Sequence, residues 1–416
     1  MIRRAAAVLL LLTASGATVI AASPNVLVVL TDDQGWGDLS CHGNQSLQTP
    51  SLDALAESGA SFQRFYVQPV CAPTRAELLT GRWHRRDGVS GVSEGTERLD
   101  PNAQTLADAF RRAGYATACF GKWHNGTQAP YHPNARGFDE FYGFTSGHWG
   151  QYFDPMLDYN GRIARGEGYL PNDLTDRAID FIRGQGGDPF FILLAYNTPH
   201  SPMQVPDRWW SRFAGMPLSQ RGTNAEQEKP DHTRAALAMC ENLDWNVGRL
   251  IDALERDGLA DDTIVVFFSD NGPNGRRYNG GLRGIKGSTD EGGVRSPLFV
   301  RWPGCIAPRT VIEPMAAAID LAPTLCDLAD IAPPNAGNHD GVSLEPLLLD
   351  QGEPLPDRTL FTHWNGRTAA RHAGFVLDHR ERLYNLLADP GQTQDVADQH
   401  PALAEQLGPR KTQVAR

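Results

Sequence analysis

Cys71-Ala72-Pro73-Thr74-Arg75 places a thiol and a guanidinium four residues apart. Leu78-Leu79-Thr80-Gly81, just downstream, reads as the end of a short helix with Gly81 past its C-terminus. Cys71 therefore lies just before a helix start, where free N–H groups and the helix dipole favour an anion. Arg75, one turn deeper, can point its guanidinium at the same spot. Three readings of Cys71 stay open on these residues alone: a buried apolar filler, a thiolate nucleophile, or the precursor of a modified residue.

Further polar groups follow apolar runs. Asp32 and Asp33 end the run Asn25–Leu30, Lys122 and His124 follow Tyr115–Phe120, His200 follows Phe190–Tyr196, and Asp270-Asn271 follow Thr263–Phe268. Two adjacent aspartates at the end of a buried strand are costly unless something positive sits there. A hard cation with oxygen ligands answers that cost, and a plain turn is the alternative. Asp32, Asp33, Asp270 and Asn271 are oxygen ligands suited to Ca²⁺ or Mg²⁺, without the Cys/His majority that zinc prefers. Arg75, Lys122 and Lys286 are cations able to bind a tetrahedral anion. His124 and His200 are the acid–base candidates. Lys286 lies in the glycine-rich stretch Asn279–Gly293, where backbone can approach a ligand closely.

The elements that must position these groups alternate. The four runs above, with no polar alternation, predict strands buried on both faces. Helices are expected over Thr49–Gly59, Thr105–Arg112, Leu174–Ile182, Ala235–Asp257 and Ala316–Ala329, and further strands over Ser61–Val67 and Leu298–Trp302. Trp209–Arg234 reads as a polar surface excursion. The expectation is an α/β fold: a large doubly wound, mostly parallel sheet flanked by helices, whose ligands bind outside the carboxyl ends of the strands. After the bridge Ile331-Ala332-Pro333-Pro334 come short strands at Leu360–Thr362, Gly374–Leu377 and Leu383–Leu386 and a helix near Pro401–Leu407. These suggest a small C-terminal α+β subdomain, giving expected divisions of 1–22, 23–335 and 336–416.

The chain has 416 residues and a net charge of −11, with no long basic run. That argues against a nucleic-acid partner and against attraction to an anionic membrane surface. Residues 1–22 read as a signal peptide, with Arg3 and Arg4 before the apolar run Ala5–Leu12 and Val19-Ile20-Ala21 as a cleavage site. The run is too short to span a bilayer, so the expected location is periplasmic or secreted, without stable membrane insertion. The six cysteines (41, 71, 119, 240, 305 and 326) show no disulfide framework and no zinc spacing.

Cys-x-Pro-x-Arg, together with Asn25–Gly37, Gly121–His124, Pro199–Pro202, Ser269–Gly272 and Gly284–Gly293, resembles the type I sulfatases of the alkaline-phosphatase superfamily. Leu383-Tyr384-Asn385-Leu386 and Asp389-Pro390 resemble that family's C-terminal subdomain, although the segment before Tyr384 is shorter than expected. The resemblance implies hydrolysis of a sulfate ester by a formylglycine made from Cys71. It implies one Ca²⁺ (in preference to Mg²⁺) held by Asp32, Asp33, Asp270, Asn271 and modified Cys71, with Arg75, Lys122, His124, His200 and Lys286 completing the site. It also implies a maturation enzyme acting on Cys71–Arg75, and a sulfated glycan or small sulfate ester as substrate. A phosphodiesterase or phosphonate hydrolase on the same scaffold, a catalytically dead sulfated-glycan binder, and a cysteine hydrolase are the alternatives. His84, His148, Trp149, Trp209, Trp210 and Arg283 are candidates for a sugar-binding rim.

Overall fold

All seven residues of the Asn25–Thr31 strand are buried, because helices cover both faces of its sheet. Val26, Val28 and Leu30 belong to one apolar core, and Leu27 and Val29 to the other. This is why the segment lacks the polar alternation of a half-exposed strand. In the computed structural model, which describes residues 23–335 and 338–414 with side chains through Gly408, this strand sits near the middle of a ten-stranded sheet. Thr263–Ser269, Asn25–Thr31, Phe190–Ala195 and Ala116–Lys122 lie side by side in that order and run parallel. Their carboxyl ends therefore share one edge.

The first core takes residues from the helices Cys71–Thr80, Leu106–Arg112 and Leu321–Leu328. The second takes them from Pro50–Glu57, Leu170–Gly184 and Pro230–Arg256 on the opposite face. Beyond Ala116–Lys122 the sheet continues through Glu140–Phe144, parallel, and the antiparallel hairpin Met156–Tyr159 and Arg162–Arg165. On the other side lie antiparallel Leu298–Arg301, then Ala60–Phe62 and Thr310–Ile312. The expected doubly wound, mostly parallel architecture is the one observed.

Several elements differ from expectation. Ser61–Val67 is two strands in two sheets: Ala60–Phe62 joins the large sheet, and Phe65–Tyr66 pairs with Arg295–Ser296 and Ala316–Ala317. The chain breaks at Gln63-Arg64, where the Gln63 N–H donates to Ile312 O and Arg64 Nε to Glu313 O. Ala316–Ala329 is accordingly a strand, a short 3₁₀ turn and the helix Leu321–Leu328 rather than one helix. Trp209–Arg234 is not wholly irregular. A helix spans Asp207–Phe213, its Phe213 buried with Leu47, Leu237 and Cys240, and the long helix already begins at Pro230, where proline fits the first turn.

The C-terminal part is an antiparallel sheet of four strands: Leu360–Trp364, Arg367–His372, Phe375–Leu377 and Leu383–Asn385. Arg367–His372 was not anticipated. Asn365-Gly366 joins the first two strands with φ of 49° and 74°, the geometry of a tight hairpin turn. The helix Pro401–Val414 covers this sheet, with Leu407 against Ala370, Leu377 and Leu383. Arg371 ties the sheet to the main body through Glu291, both fully buried. The expected signal segment lies outside the described residues, and the expected boundary after residue 335 falls on 336 and 337, also outside them.

Candidate active site

The chain bends sharply just past the strand ends. Asp32 follows its strand directly, and its N–H donates to Thr198 O on the loop leading to His200. The Asp270 N–H donates to Thr31 O. Among the described residues, three buried non-glycine residues hold a positive φ: Asp33 at 69°, His124 at 66° and Gln392 at 55°. Two of the three are site candidates. Left-handed backbone at a non-glycine residue costs free energy and clusters where function fixes it.

Those turns gather the charges. One oxygen each from Asp32, Asp33 and Asp270, and the Cys71 sulfur, lie within 4.8 Å of one another, all buried. Each carboxylate meets a cation: Lys122 Nζ lies 2.7 Å from Asp32, Arg75 Nη2 2.8 Å from Asp270, and Lys286 Nζ 2.5 Å from Asp33. Three carboxylates thus face three cations. Burial raises the Asp32 carboxyl, but Lys122, His200, Lys286 and Arg75 outweigh it and hold it well below the usual carboxylate range. Asp270 is raised by burial and by neighbouring Asp32, against the pull of Arg75. Asp32 is the group we take as firmly ionised.

The oxygens are not all satisfied. Asp33 Oδ2 and Asn271 Oδ1 are buried without a hydrogen-bond partner. Asn271 Nδ2 donates to Asp33 Oδ1 at 2.8 Å, which fixes the amide orientation. Buried oxygens without donors need an explanation, and a hard divalent cation fits this carboxylate and amide set. Asp32, Asp33, Asp270 and Asn271 are the residues that would hold it.

Cys71 is the first residue of the Cys71–Thr80 helix rather than the one before it, and Gly81 closes that helix in the left-handed conformation. Its sulfur donates to Asp32 Oδ1 at 3.4 Å. Burial first, then Asp270, push the thiol up to about 12 against Lys122 and Lys286. It therefore stays a thiol at neutral pH, a poor nucleophile.

A cavity of about 410 Å³ opens over Cys71, lined among others by Val92, His124, His148, His200 and Lys286. His124 Nε2 donates to Val92 O at 2.9 Å, while its buried Nδ1 has no partner. Burial and then Lys122 hold the ring well below its ordinary value. It is therefore a neutral imidazole whose free lone pair is on Nδ1. His200 Nδ1 donates to Ser201 O at 2.7 Å, and its Nε2 lies 3.6 Å from Asp33 Oδ2.

The sulfatase family model matches residues 24–331. The chain belongs to the sulfatase family. A second model, N-sulphoglucosamine sulphohydrolase, C-terminal, matches residues 286–407. The sulfatase is 32% identical to N-acetylgalactosamine-6-sulfatase of Homo sapiens over 388 residues, covering 85% of this chain and 70% of the relative. It is 34% identical to human arylsulfatase A, over 82% of this chain and 71% of the relative. The crystal structure of Ps i-CgsB in complex with k-i-k-neocarrahexaose superposes with a TM-score of 0.83 at 29% identity, covering 92% of this chain and 90% of that one. The sulfatase is a sulfuric ester hydrolase.

All ten candidate residues of this sulfatase meet at the strand edge, but they do not all face the cavity. Arg75 commits its guanidinium to Asp270 and to Lys122 O at 2.7 Å. Of the rim candidates, His148 lines the cavity and packs edge-on against His200. His84 is buried on Glu77, Trp149 stacks on Phe144, and Trp209 and Trp210 pack against the Phe213 cluster. Arg283 pairs with Asp290.

Four residues escaped sequence reasoning. The Arg277–Asp38 pair is buried at 2.6 Å, and Arg277 also donates to Asp33 O. Thr74 Oγ1 donates to Asp270 O at 2.6 Å. At Gly147 a Cβ would stand 2.1 Å from His124 Nε2, so only glycine leaves that ring in place. Asp38 followed the Asp32-Asp33 pair closely in sequence, yet its partner lies 239 residues away.

Proposed function

We propose that this sulfatase hydrolyses a sulfate ester on a carbohydrate, using a formylglycine made from Cys71 beside one calcium ion. The observation that carries the proposal is the oxygen cluster at Cys71, with Asp33 Oδ2 and Asn271 Oδ1 lacking donors. The hydrated aldehyde and the ion would together supply an activated oxygen nucleophile and neutralise charge on the sulfate oxygens. A thiol held protonated near 12 gives a cysteine hydrolase little to work with.

Each side chain then has a task. With all three carboxylates ionised, the three cations leave the cluster about neutral, so a bound divalent cation would make it positive and attractive to sulfate. Lys286, which lines the cavity, binds sulfate oxygens, and Lys122 adds its charge from behind Asp32. Arg75 orients Asp270 and the end of the Lys122 strand. His124 accepts a proton at Nδ1 from a hydroxyl on residue 71. His200, with Nδ1–H donating to Ser201 O, gives the leaving alcohol its proton from Nε2.

The carbohydrate reading rests on relatives: one is named for N-acetylgalactosamine 6-sulfate chemistry and one solved neighbour binds an oligosaccharide. Arg3-Arg4 and the apolar run after them support export to the periplasm or beyond, with residues 23–335 as the catalytic domain and 336–416 as the subdomain. No helix among the described residues is long and apolar enough to cross a membrane.

The test is expression with a formylglycine-generating enzyme, mass spectrometry of the Cys71 peptide, and rates on matched sulfate and phosphate esters. An aldehyde at residue 71, preference for sulfate, and no turnover by Cys71→Ala are expected. Full activity of Cys71→Ala, or a faster phosphate ester, would overturn the proposal.

A further inference from the structure

A second cavity, of about 300 Å³, lies between the Arg283–Asp290 loop and the C-terminal sheet. Its lining includes four guanidinium groups, from Arg283, Arg367, Arg380 and Arg382, together with His379. Two of these are neutralised: Arg283 pairs with Asp290, and Arg382 with Asp378. The guanidinium groups of Arg367 and Arg380 have no ion-pair or hydrogen-bond partner among the described residues, and His379 Nδ1 is buried without one. Burial holds the His379 ring below its ordinary value, with Arg380 and Arg367 adding to it against the opposing pull of Asp378. Two free cations and a buried unpartnered ring nitrogen converging on one concavity make a receptor for oxyanions.

Its location gives the anion a source. Lys286 lines the cavity over Cys71, and Ser288, two residues on, lines this one. Two residues of chain span at most about 7 Å. Trp364 stands over the link between them, its ring 3.9 Å from the position of a Cβ on Gly287, and the hairpin turn after Trp364 leads directly to Arg367. A sugar whose sulfate ester sits at Cys71 can therefore place a neighbouring group by Trp364 and into the second cavity.

We propose that the cavity between the Arg283–Asp290 loop and the C-terminal sheet binds a second anionic group, a sulfate or a carboxylate, of the same glycan. The sulfatase then selects polyanionic chains over singly sulfated ones. This deepens the carbohydrate reading above and rests on it.

The experiment uses the full, matured chain and the double variant Arg367→Ala/Arg380→Ala, both exposed positions whose loss leaves the Cys71 site intact. Three disaccharides carry the same scissile sulfate: one with no other anion, one with a second sulfate, and one with a carboxylate on the neighbouring sugar. The variant is expected to lose about tenfold or more in kcat/KM, through KM, on a doubly anionic probe, the scale of one charge-assisted hydrogen bond. Its rate on the singly sulfated probe stays unchanged. Whichever doubly anionic probe shows the loss identifies the group. Equal losses on all three probes, or no loss on either doubly anionic one, overturns the inference. Calorimetric binding of the same probes to Cys71→Ala protein separates this from the function itself. Tighter binding of a doubly anionic probe, abolished in the arginine variants, upholds the subsite even where no ester is turned over. Equal binding of all three probes overturns it.

Discussion

Two regions of the molecule bury charge, and they do it differently. At the junction with the C-terminal sheet, Arg371 donates Nε to Glu291 at 2.8 Å, Nη1 to Thr362 Oγ1 and Nη2 to Thr289 O. Glu291 Oε2 accepts from Tyr66 at 3.1 Å. Every polar atom of that pair has a partner. At the strand edge, three carboxylates, Lys122 and Arg75 are buried and Lys286 is partly exposed, yet Asp33 Oδ2 and Asn271 Oδ1 have no hydrogen-bond partner. A fully satisfied buried pair fixes one element against another. An unsatisfied one calls for an explanation, and at this cluster of ligand oxygens we read it as a site completed by a bound cation.

Substitutions can break that contrast in either direction. The largest effect is expected from Asp33→Asn, which should reduce turnover by more than about 100-fold, beyond what loss of an outer partner of a metal ligand costs. Its calcium-free stability should change less than that of the next variant. Arg371→Met should cost about 3–5 kcal/mol in urea unfolding, because Glu291 is left charged and unpaired. The kcat of the protein still folded should hold, and a collapse of kcat with stability retained would reverse the assignment of the two regions. Gly147→Ala sharpens the contrast within the site. Displacing the His124 ring should lower kcat about 100-fold, the low end of losing a general base, with KM little changed.

The smallest effect is a pH dependence confined to the C-terminal side. Burial, Arg85 and then His84 lower His363 to about 4. The folded protein refuses a proton that the unfolded chain accepts below its ordinary value near 6.5. Stability attributable to this ring is therefore complete above about pH 6.5, falls as pH drops, and levels off near 4. Acid unfolding of His363→Gln should lack that component, and an unchanged profile would contradict it.

Much of this was legible in the chain. Strands buried on both faces announce themselves as unbroken apolar runs, so the four central strands and the polar groups at their ends could be read directly. The outer hairpin Met156–Tyr159 and Arg162–Arg165 could not: it is short, mostly exposed and carries no unbroken apolar run. Arg367–His372 hid for a related reason, since Arg-Thr-Ala-Ala-Arg-His carries little β-branched bulk. Its Arg371 is buried only because Glu291, 80 residues away, is there to meet it. The same holds for Arg277 and Asp38. Residue types at strand ends pointed to the candidate groups, whereas the long-range pairs that hold them were invisible until the chain was folded.

The central claim is that the strand edge is completed by one oxygen-bound divalent cation beside residue 71. A crystal structure of the matured protein grown with calcium tests it most directly. The expected result is a single ion roughly 2.3–2.6 Å from oxygens of Asp32, Asp33, Asp270 and Asn271, with an aldehyde or its hydrate at position 71. An ion bound elsewhere, with Asp33 Oδ2 and Asn271 Oδ1 still bare in a protein that turns over sulfate esters, would contradict the account.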